Sequence, residues 1–264
     1  MTTTLKGEWA LVLGSSSGFG EATALELGRR GMNVAGVHLD RKNTLPHVDE
    51  IVGAIRKSGG RAEFFNANAA DELKRKEILD QLGPLLGGRP IRIVLHSLAF
   101  GALKPFFAAK EEERITKSQL EMTLDVMAHS LVYWVQDLVA RGLLGDGSHV
   151  LAMTSGGGTR VMPFYGAVSA AKAALESHVR QLALELGGAG VAVNAIRAGV
   201  TDTPASRKIP AAELVFQEAR RRNPRGRLTE PQDVATAIAA LVQAGTGWIS
   251  GNVIGVDGGE DVIA

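Results

Sequence analysis

Residues 9–20 read WALVLGSSSGFG, and the fold follows from them. Trp9–Leu13 is a short apolar run with no polar alternation, the pattern of a strand covered on both faces. It leads directly into Gly14, three serines, Gly18, Phe19 and Gly20, and a helical pattern then extends over Glu21–Arg30. Glycines at a strand-to-helix turn let the chain reverse sharply and let backbone N–H groups approach a phosphate at the helix N-terminus. Gly31 ends that helix, and Asn33–Leu39 reads as a second buried strand. Strand, glycine loop, helix and strand form the first unit of a dinucleotide-binding α/β fold.

The alternation continues outward from this unit. Helical patterns cover Val48–Ser58, Asp71–Leu82, a long stretch within Ile115–Leu143, the segment after Tyr165, and Pro231–Val242. Pro231 suits a first helical turn, and Thr229 is placed to cap it. Strand patterns cover Arg61–Ala67, Ile91–His96, His149–Thr154, Ala192–Arg197 and Asn252–Val256. Strands alternating with helices imply a Rossmann-type, doubly wound parallel sheet with helices on both faces and right-handed crossovers. The 264 residues, 45% hydrophobic, suffice for one large core, and no linker interrupts them, so residues 1–264 are expected to form a single domain.

Composition excludes several functions. The net charge of +1, with both signs interspersed, gives no basis for binding nucleic acid or an anionic membrane. The absence of cysteine removes disulfides, zinc–thiolate sites and thiol nucleophiles. His47, His149 and His178 lack carboxylate partners at metal spacing, so no metal site is expected. With no apolar signal core and no run of transmembrane length, a cytoplasmic location is expected.

The chemistry is expected in YGAVSAAK, residues 165–172. Seven residues are close to two helical turns, which puts the Tyr165 phenol and the Lys172 ammonium on one face, roughly 10 Å apart along the axis. A cation near a phenol favours its giving a proton or hydrogen bond to a developing oxyanion. Taken alone, the pair also fits a packed tyrosine and a solvated lysine. His96, ending a strand, reads as a core histidine, and His129 and Ser130 on the long helix read as subunit-interface residues.

Taken together, the glycine loop, the Tyr165/Lys172 pair and the terminal SGNVIGVDGG of residues 250–259 resemble the short-chain dehydrogenase/reductase family, over the chain from about Leu5 to Val262. Most members place the tyrosine four residues before the lysine, where this chain has Val168. The seven-residue spacing is similar to that of the enoyl-acyl-carrier-protein reductases. HSLAF (residues 96–100) and DVMAHS (residues 125–130) resemble segments of the same subgroup, with Met127 at the position of the family's catalytic asparagine. Gly14, Gly18 and Gly20 keep the ordinary family spacing, a combination like that of the bacterial type III enoyl reductases. Ser155, ten residues before Tyr165, departs from that subgroup and stands where ordinary members carry a catalytic serine.

This resemblance implies an NAD(P)-dependent oxidoreductase that reduces the C=C bond of a 2-enoyl thioester in fatty acid biosynthesis. Tyr165 would stabilise the enolate oxygen, and Lys172 would hold the nicotinamide ribose and bias the phenol. Ser155 keeps a carbonyl or alcohol oxidoreductase open, such as a 3-oxoacyl reductase; its other reading is a strand-end serine turning Gly156–Gly158. An NAD(P)-sensing regulator is a further alternative, against which the retained Tyr165 and Lys172 weigh.

The resemblance also implies cofactor contacts from Gly14, Ser16, Ser17, Gly18, Phe19 and Gly20. It adds Asn68 and Ala69 at the adenine edge, Ser97 and Leu98 on the nicotinamide side, and Gly199, Val200 and Thr201 at the carboxamide. His38 falls where an NAD-type acid usually stands, Asp40 follows two residues later, and Arg41 and Lys42 come next. Ser17 replaces an arginine found in many NADP-using relatives. The balance tips slightly to NADP(H) over NAD(H). Phe100, Tyr165 and Thr203 are the expected substrate contacts, with Thr203–Ala212 covering a small-molecule or carrier-bound acyl substrate. The family relation further implies a homotetramer.

Overall fold

In the computed structural model, which describes residues 4–243 and 245–263, the strands are β1 (Trp9–Leu13), β2 (Asn33–His38), β3 (Ala62–Asn66), β4 (Ile93–His96), β5 (His149–Ser155), β6 (Ala192–Ala198) and β7 (Val253–Val256). All pair in parallel, in the order β3-β2-β1-β4-β5-β6-β7. The helices are α1 (Gly18–Arg29), α2 (Leu45–Lys57), α3 (Glu72–Leu85), α4 (Lys117–Leu124), α5 (Ser130–Ala140), α6 (Gly166–Leu186), α7 (Ala212–Arg222) and α8 (Pro231–Gln243). This is the expected Rossmann-type doubly wound architecture.

The apolar run of β1 explains the layering. Leu11 and Leu13 join the core beneath α3, α5 and α6, while Ala10 and Val12 join the one beneath α1, α2 and α8. A strand with helices on both faces buries every side chain, and each buried Leu or Val stabilises the fold by about 1.5–3 kcal/mol. The strand order reverses direction between β1 and β4, and in such sheets the crevice at that reversal takes the ligand.

Two local expectations change, and one further helix appears. The long helix expected within Ile115–Leu143 is broken into α4, a π-helical turn at Asp125–His129, and α5. It starts at Lys117 because Thr116 and Gln119 form a reciprocal capping box. The π turn inserts an extra residue, a device common near functional sites, and its Met127 is buried. Thr229 does not cap α8: its side chain is buried with no hydrogen-bond partner, and Asp233 instead accepts from the Glu230 N–H at 2.9 Å. Finally, α7 follows the expected covering segment, and its Phe216 and Ala219 bury against Leu228.

Candidate active site

The glycine loop is shaped by contacts that admit no side chain. Gly14 has φ +88°, and a Cβ there would lie 2.6 Å from the Ser97 carbonyl oxygen. A Cβ on Gly20 would lie 1.9 Å from the Gly14 oxygen. These approaches bring α1 hard against the end of β1, with the unpaired N–H groups of its first turn facing the crevice. Ser15 continues the β1–β2 ladder, its N–H donating to Val37 O at 3.1 Å. Ser16, Ser17 and Gly18 then span the turn. A dinucleotide pyrophosphate fits here, because the Gly14 and Gly20 contacts hold a tight backbone turn at the start of α1 and the helix end favours an anion.

At the adenosine end, His38 is buried and its Nδ1 lies 3.0 Å from the Asp40 carboxylate. Asn66 clamps the Asp40 backbone through both its N–H (2.9 Å) and its carbonyl (3.0 Å). Burial pushes the Asp40 carboxyl up, but hydrogen bonds from Ser16, Thr44 and His38 outweigh it and hold it below the usual carboxylate range. Arg41 is exposed and forms no ion pair among the described residues. Asn68 uses its side-chain oxygen locally, accepting from Ala70 N–H, and the Ala69 carbonyl accepts from Trp134 Nε1 at 2.7 Å.

A cavity of about 640 Å³ opens beside this loop, at the C-terminal ends of β4, β5 and β6. Among the expected cofactor residues it is lined by Phe19, Ser97, Leu98, Gly199, Val200 and Thr201. Ser155, Tyr165, Lys172, Phe100 and Thr203 line it as well. The remaining expected residues, from the glycine loop to Ala69, lie outside it, at the C-terminal ends of β1, β2 and β3 and in the turns that follow them. Thr203 approaches the start of α1, with its Cγ2 3.5 Å from where a Gly18 Cβ would be.

Tyr165 does not sit inside a helix, as the spacing suggested, but is the N-cap residue of α6. The residue before it, Phe164, holds φ +64°, a strained left-handed conformation for a bulky side chain. The phenol ring lies over Gly157, where a Cβ would come within 2.4 Å of Cε1. Tyr165 Oη is 3.3 Å from Ser155 Oγ, which also accepts from Gly157 N–H at 3.2 Å. Ser155 therefore turns the loop, as its strand-end reading expected, and also touches the phenol. Burial raises the Tyr165 pKa, with the Ser155 hydrogen bond working the other way.

Lys172 is buried, and its Nζ donates to the Met153 carbonyl at 2.7 Å. Burial brings its pKa down to about 8, against the charge of Glu176. His96 is a core histidine: its Nε2 is 2.8 Å from Ser130 Oγ, and burial, aided by Lys172, lowers its pKa to about 3. Ser130 is thereby corrected from the expected interface to the interior, where its hydroxyl donates to Val126 O. His129 turns instead to His178, 3.0 Å away.

Met127 and Val168 line the same cavity as Tyr165 and pack against Gly101, where a Cβ would meet Val168 Cγ2 at 2.8 Å and Met127 Sδ at 2.9 Å. Sequence reasoning missed Thr154, Glu176 and Asp261. Thr154 donates to Glu176 at 2.6 Å, and Asp261 pairs with Arg160 and Arg197 at 2.6 and 2.8 Å. The spacing of Glu176, four residues after Lys172, was the one available signal; Asp261 pairs across the fold and gives none. Among the described residues no group of three or more His, Cys, Asp or Glu side chains could hold a metal, and no helix is long and apolar enough to cross a membrane.

A family model described as Enoyl-(Acyl carrier protein) reductase matches residues 14–260. A cis-4-hydroxycyclohexanecarboxylate dehydrogenase from Sinomonas cyclohexanicum is 30% identical, over 96% of each chain. The crystal structure of a short-chain dehydrogenase from Burkholderia cenocepacia in complex with NADP is 27% identical, with a TM-score of 0.82 over 98% of this chain and 100% of that one. The enoyl-[acyl-carrier-protein] reductase (NADH) of Aquifex aeolicus shares the fold at a TM-score of 0.85 and 24% identity, over 99% of both chains. With the match running through the glycine loop, the cavity and the segment after β7, the chain belongs to the short-chain dehydrogenase/reductase family and is an NAD(P)-dependent oxidoreductase.

Proposed function

We propose that the protein reduces the C=C bond of 2-enoyl thioesters, of the acyl-carrier-protein type used in fatty acid biosynthesis. The observation that carries this is the delivery of the Tyr165 phenol from the α6 N-cap to a cavity that Met127 and Val168 also line. When bound, the reduced nicotinamide supplies the hydride. Gly14, Ser16, Ser17, Gly18 and Gly20 would hold the pyrophosphate, and Lys172 the ribose next to the ring. Tyr165, kept protonated by its burial, donates a hydrogen bond to the thioester oxygen as negative charge builds there. Phe100 and Phe216 offer apolar wall to the acyl chain. The exposed Tyr133, Val139 and Leu184 on α5 and α6 fit packing against further copies in a homotetramer.

A second reading is favoured by the Ser155–Tyr165 contact. Two hydroxyls 3.3 Å apart at one cavity wall also suit a carbonyl oxygen, which would make the protein a carbonyl or alcohol oxidoreductase. The two readings part in one assay. Cofactor oxidation with a 2-enoyl thioester, at rates well above those with a 3-oxoacyl thioester, is expected; the reverse order would establish the second reading.

For the cofactor, Asp40 spends its carboxylate on Ser16, Thr44 and His38, while Arg41 is left exposed at the rim. That arrangement supports NADP(H), with the guanidinium meeting the 2′-phosphate. Arg41→Ala is expected to weaken NADPH about tenfold, as for one lost charge-assisted hydrogen bond, and to leave NADH unchanged. Fluorescence titration of both cofactors reads the difference.

A further inference from the structure

Three consecutive residues at the end of β5 are latched to three residues of α6 and its cap. The Met153 carbonyl accepts from Lys172 Nζ at 2.7 Å, the Thr154 hydroxyl donates to Glu176 at 2.6 Å, and Ser155 Oγ meets Tyr165 Oη at 3.3 Å. The two outer latches involve the reacting pair itself. The middle one involves a carboxylate one helical turn from Lys172, on the same face. Gly158 closes over both: a Cβ there would lie 3.3 Å from Glu176 Oε1 and 3.4 Å from Lys172 Cβ.

We propose that Glu176, aligned by Thr154, is a positioning residue that keeps the buried Lys172 positively charged and directed at the reacting end. Three considerations support this. Lys172 is buried, and a buried ammonium loses its hydration. The one hydrogen bond seen on Nζ goes to a neutral carbonyl, so a nearby negative charge has to offset the desolvation. The other titratable groups around Lys172 do not supply it. His96 on β4 is held neutral by burial, Tyr165 at the helix cap keeps its proton, and His129 on the π turn is engaged with His178. On β6, Arg197 lies opposite Thr154 and is paired with Asp261. Of the acids on the helical elements packed against α6, Glu121 on α4 pairs with Lys117 and Asp137 on α5 pairs with Arg75, which leaves Asp125 on the π turn as the competitor to Glu176.

The inference rests on the reading of Lys172 as part of the reacting pair, but its test does not require turnover. In the protein without cofactor, the Lys172 side chain can be titrated by NMR with carbon-labelled lysine, its signal assigned by its loss in Lys172→Met. The wild-type midpoint is expected near 8. Glu176→Gln should move it down by about one to two pH units, because removing an adjacent opposite charge favours the neutral amine. Thr154→Val keeps the carboxylate but frees it, and should move the midpoint in the same direction by less. It also serves where Glu176→Gln fails to fold. In turnover, the alkaline limb reports loss of the charged lysine, so it should shift to lower pH by the same amount in each variant. Unchanged midpoints in both variants, with only thermal stability lowered, would overturn the proposal and reduce the Thr154–Glu176 latch to packing. Shifted midpoints with no reductase activity in the wild type would instead leave it standing and count against the functional reading.

Discussion

Tyr165→Phe is expected to lower kcat by about two to four orders of magnitude, the range for losing a general acid or oxyanion donor, while cofactor affinity stays within about twofold. The geometry separates these effects cleanly. The phenylalanine ring keeps its bed over Gly157, so the α6 N-cap and the loop before it hold their shape. Only the hydroxyl is lost, and Ser155 Oγ retains the Gly157 N–H as a donor. Because the phenol is buried and loses one weak 3.3 Å contact, stability should change by no more than about 1 kcal/mol. Steady-state kinetics, with cofactor titration and a thermal melt on the same preparation, checks all three. A variant with near wild-type kcat would remove Tyr165 from the chemistry.

Gly20→Ala is the second large effect, and it acts on cofactor binding through the fold. The added methyl would stand 1.9 Å from the Gly14 oxygen and 2.8 Å from its carbonyl carbon, both backbone atoms at the end of β1. No rotamer can relieve such a contact, so α1 must move away and the phosphate cradle opens. A destabilisation of about 3 kcal/mol is expected, at the upper end for overpacking, with cofactor Kd raised at least about a hundredfold. Gly53→Ala is the matched control. Gly53 lies in α2 with nothing within 4 Å of its would-be Cβ, so alanine there should stabilise by about 0.5–1 kcal/mol and leave Kd alone. Paired thermal melts and cofactor titrations distinguish a steric loop from a merely flexible one.

The parts of this molecule that were legible in its sequence are those set by local pattern. Trp9–Leu13 could only be a doubly covered strand, and the glycines after it could only be a tight turn, so the first βαβ unit followed. The seven-residue separation of Tyr165 and Lys172 survived as a shared cavity wall, although Tyr165 lies at the cap and not within the helix. What could not be read depends on backbone geometry and distant pairing. The π turn at Asp125–His129 leaves the apolar periodicity nearly unchanged, so one long helix was the natural expectation. Ser130 read as a subunit-interface residue because its partner, His96, lies 34 positions away. The latch between Thr154 and Glu176 needs the β5–α6 packing to exist before either residue has meaning.

The central claim is that this site delivers hydride to the β-carbon of an enoyl thioester, and isotope placement tests it most directly. The protein would be given a 2-enoyl and a 3-oxoacyl thioester of the same chain length together, with cofactor deuterated at the transferring position. Deuterium is expected at C3 of a saturated acyl product, with the 3-oxoacyl thioester recovered unchanged. Deuterium on the carbinol carbon of a 3-hydroxyacyl product, with the enoyl thioester left intact, would contradict it and assign Tyr165 and Ser155 to a carbonyl.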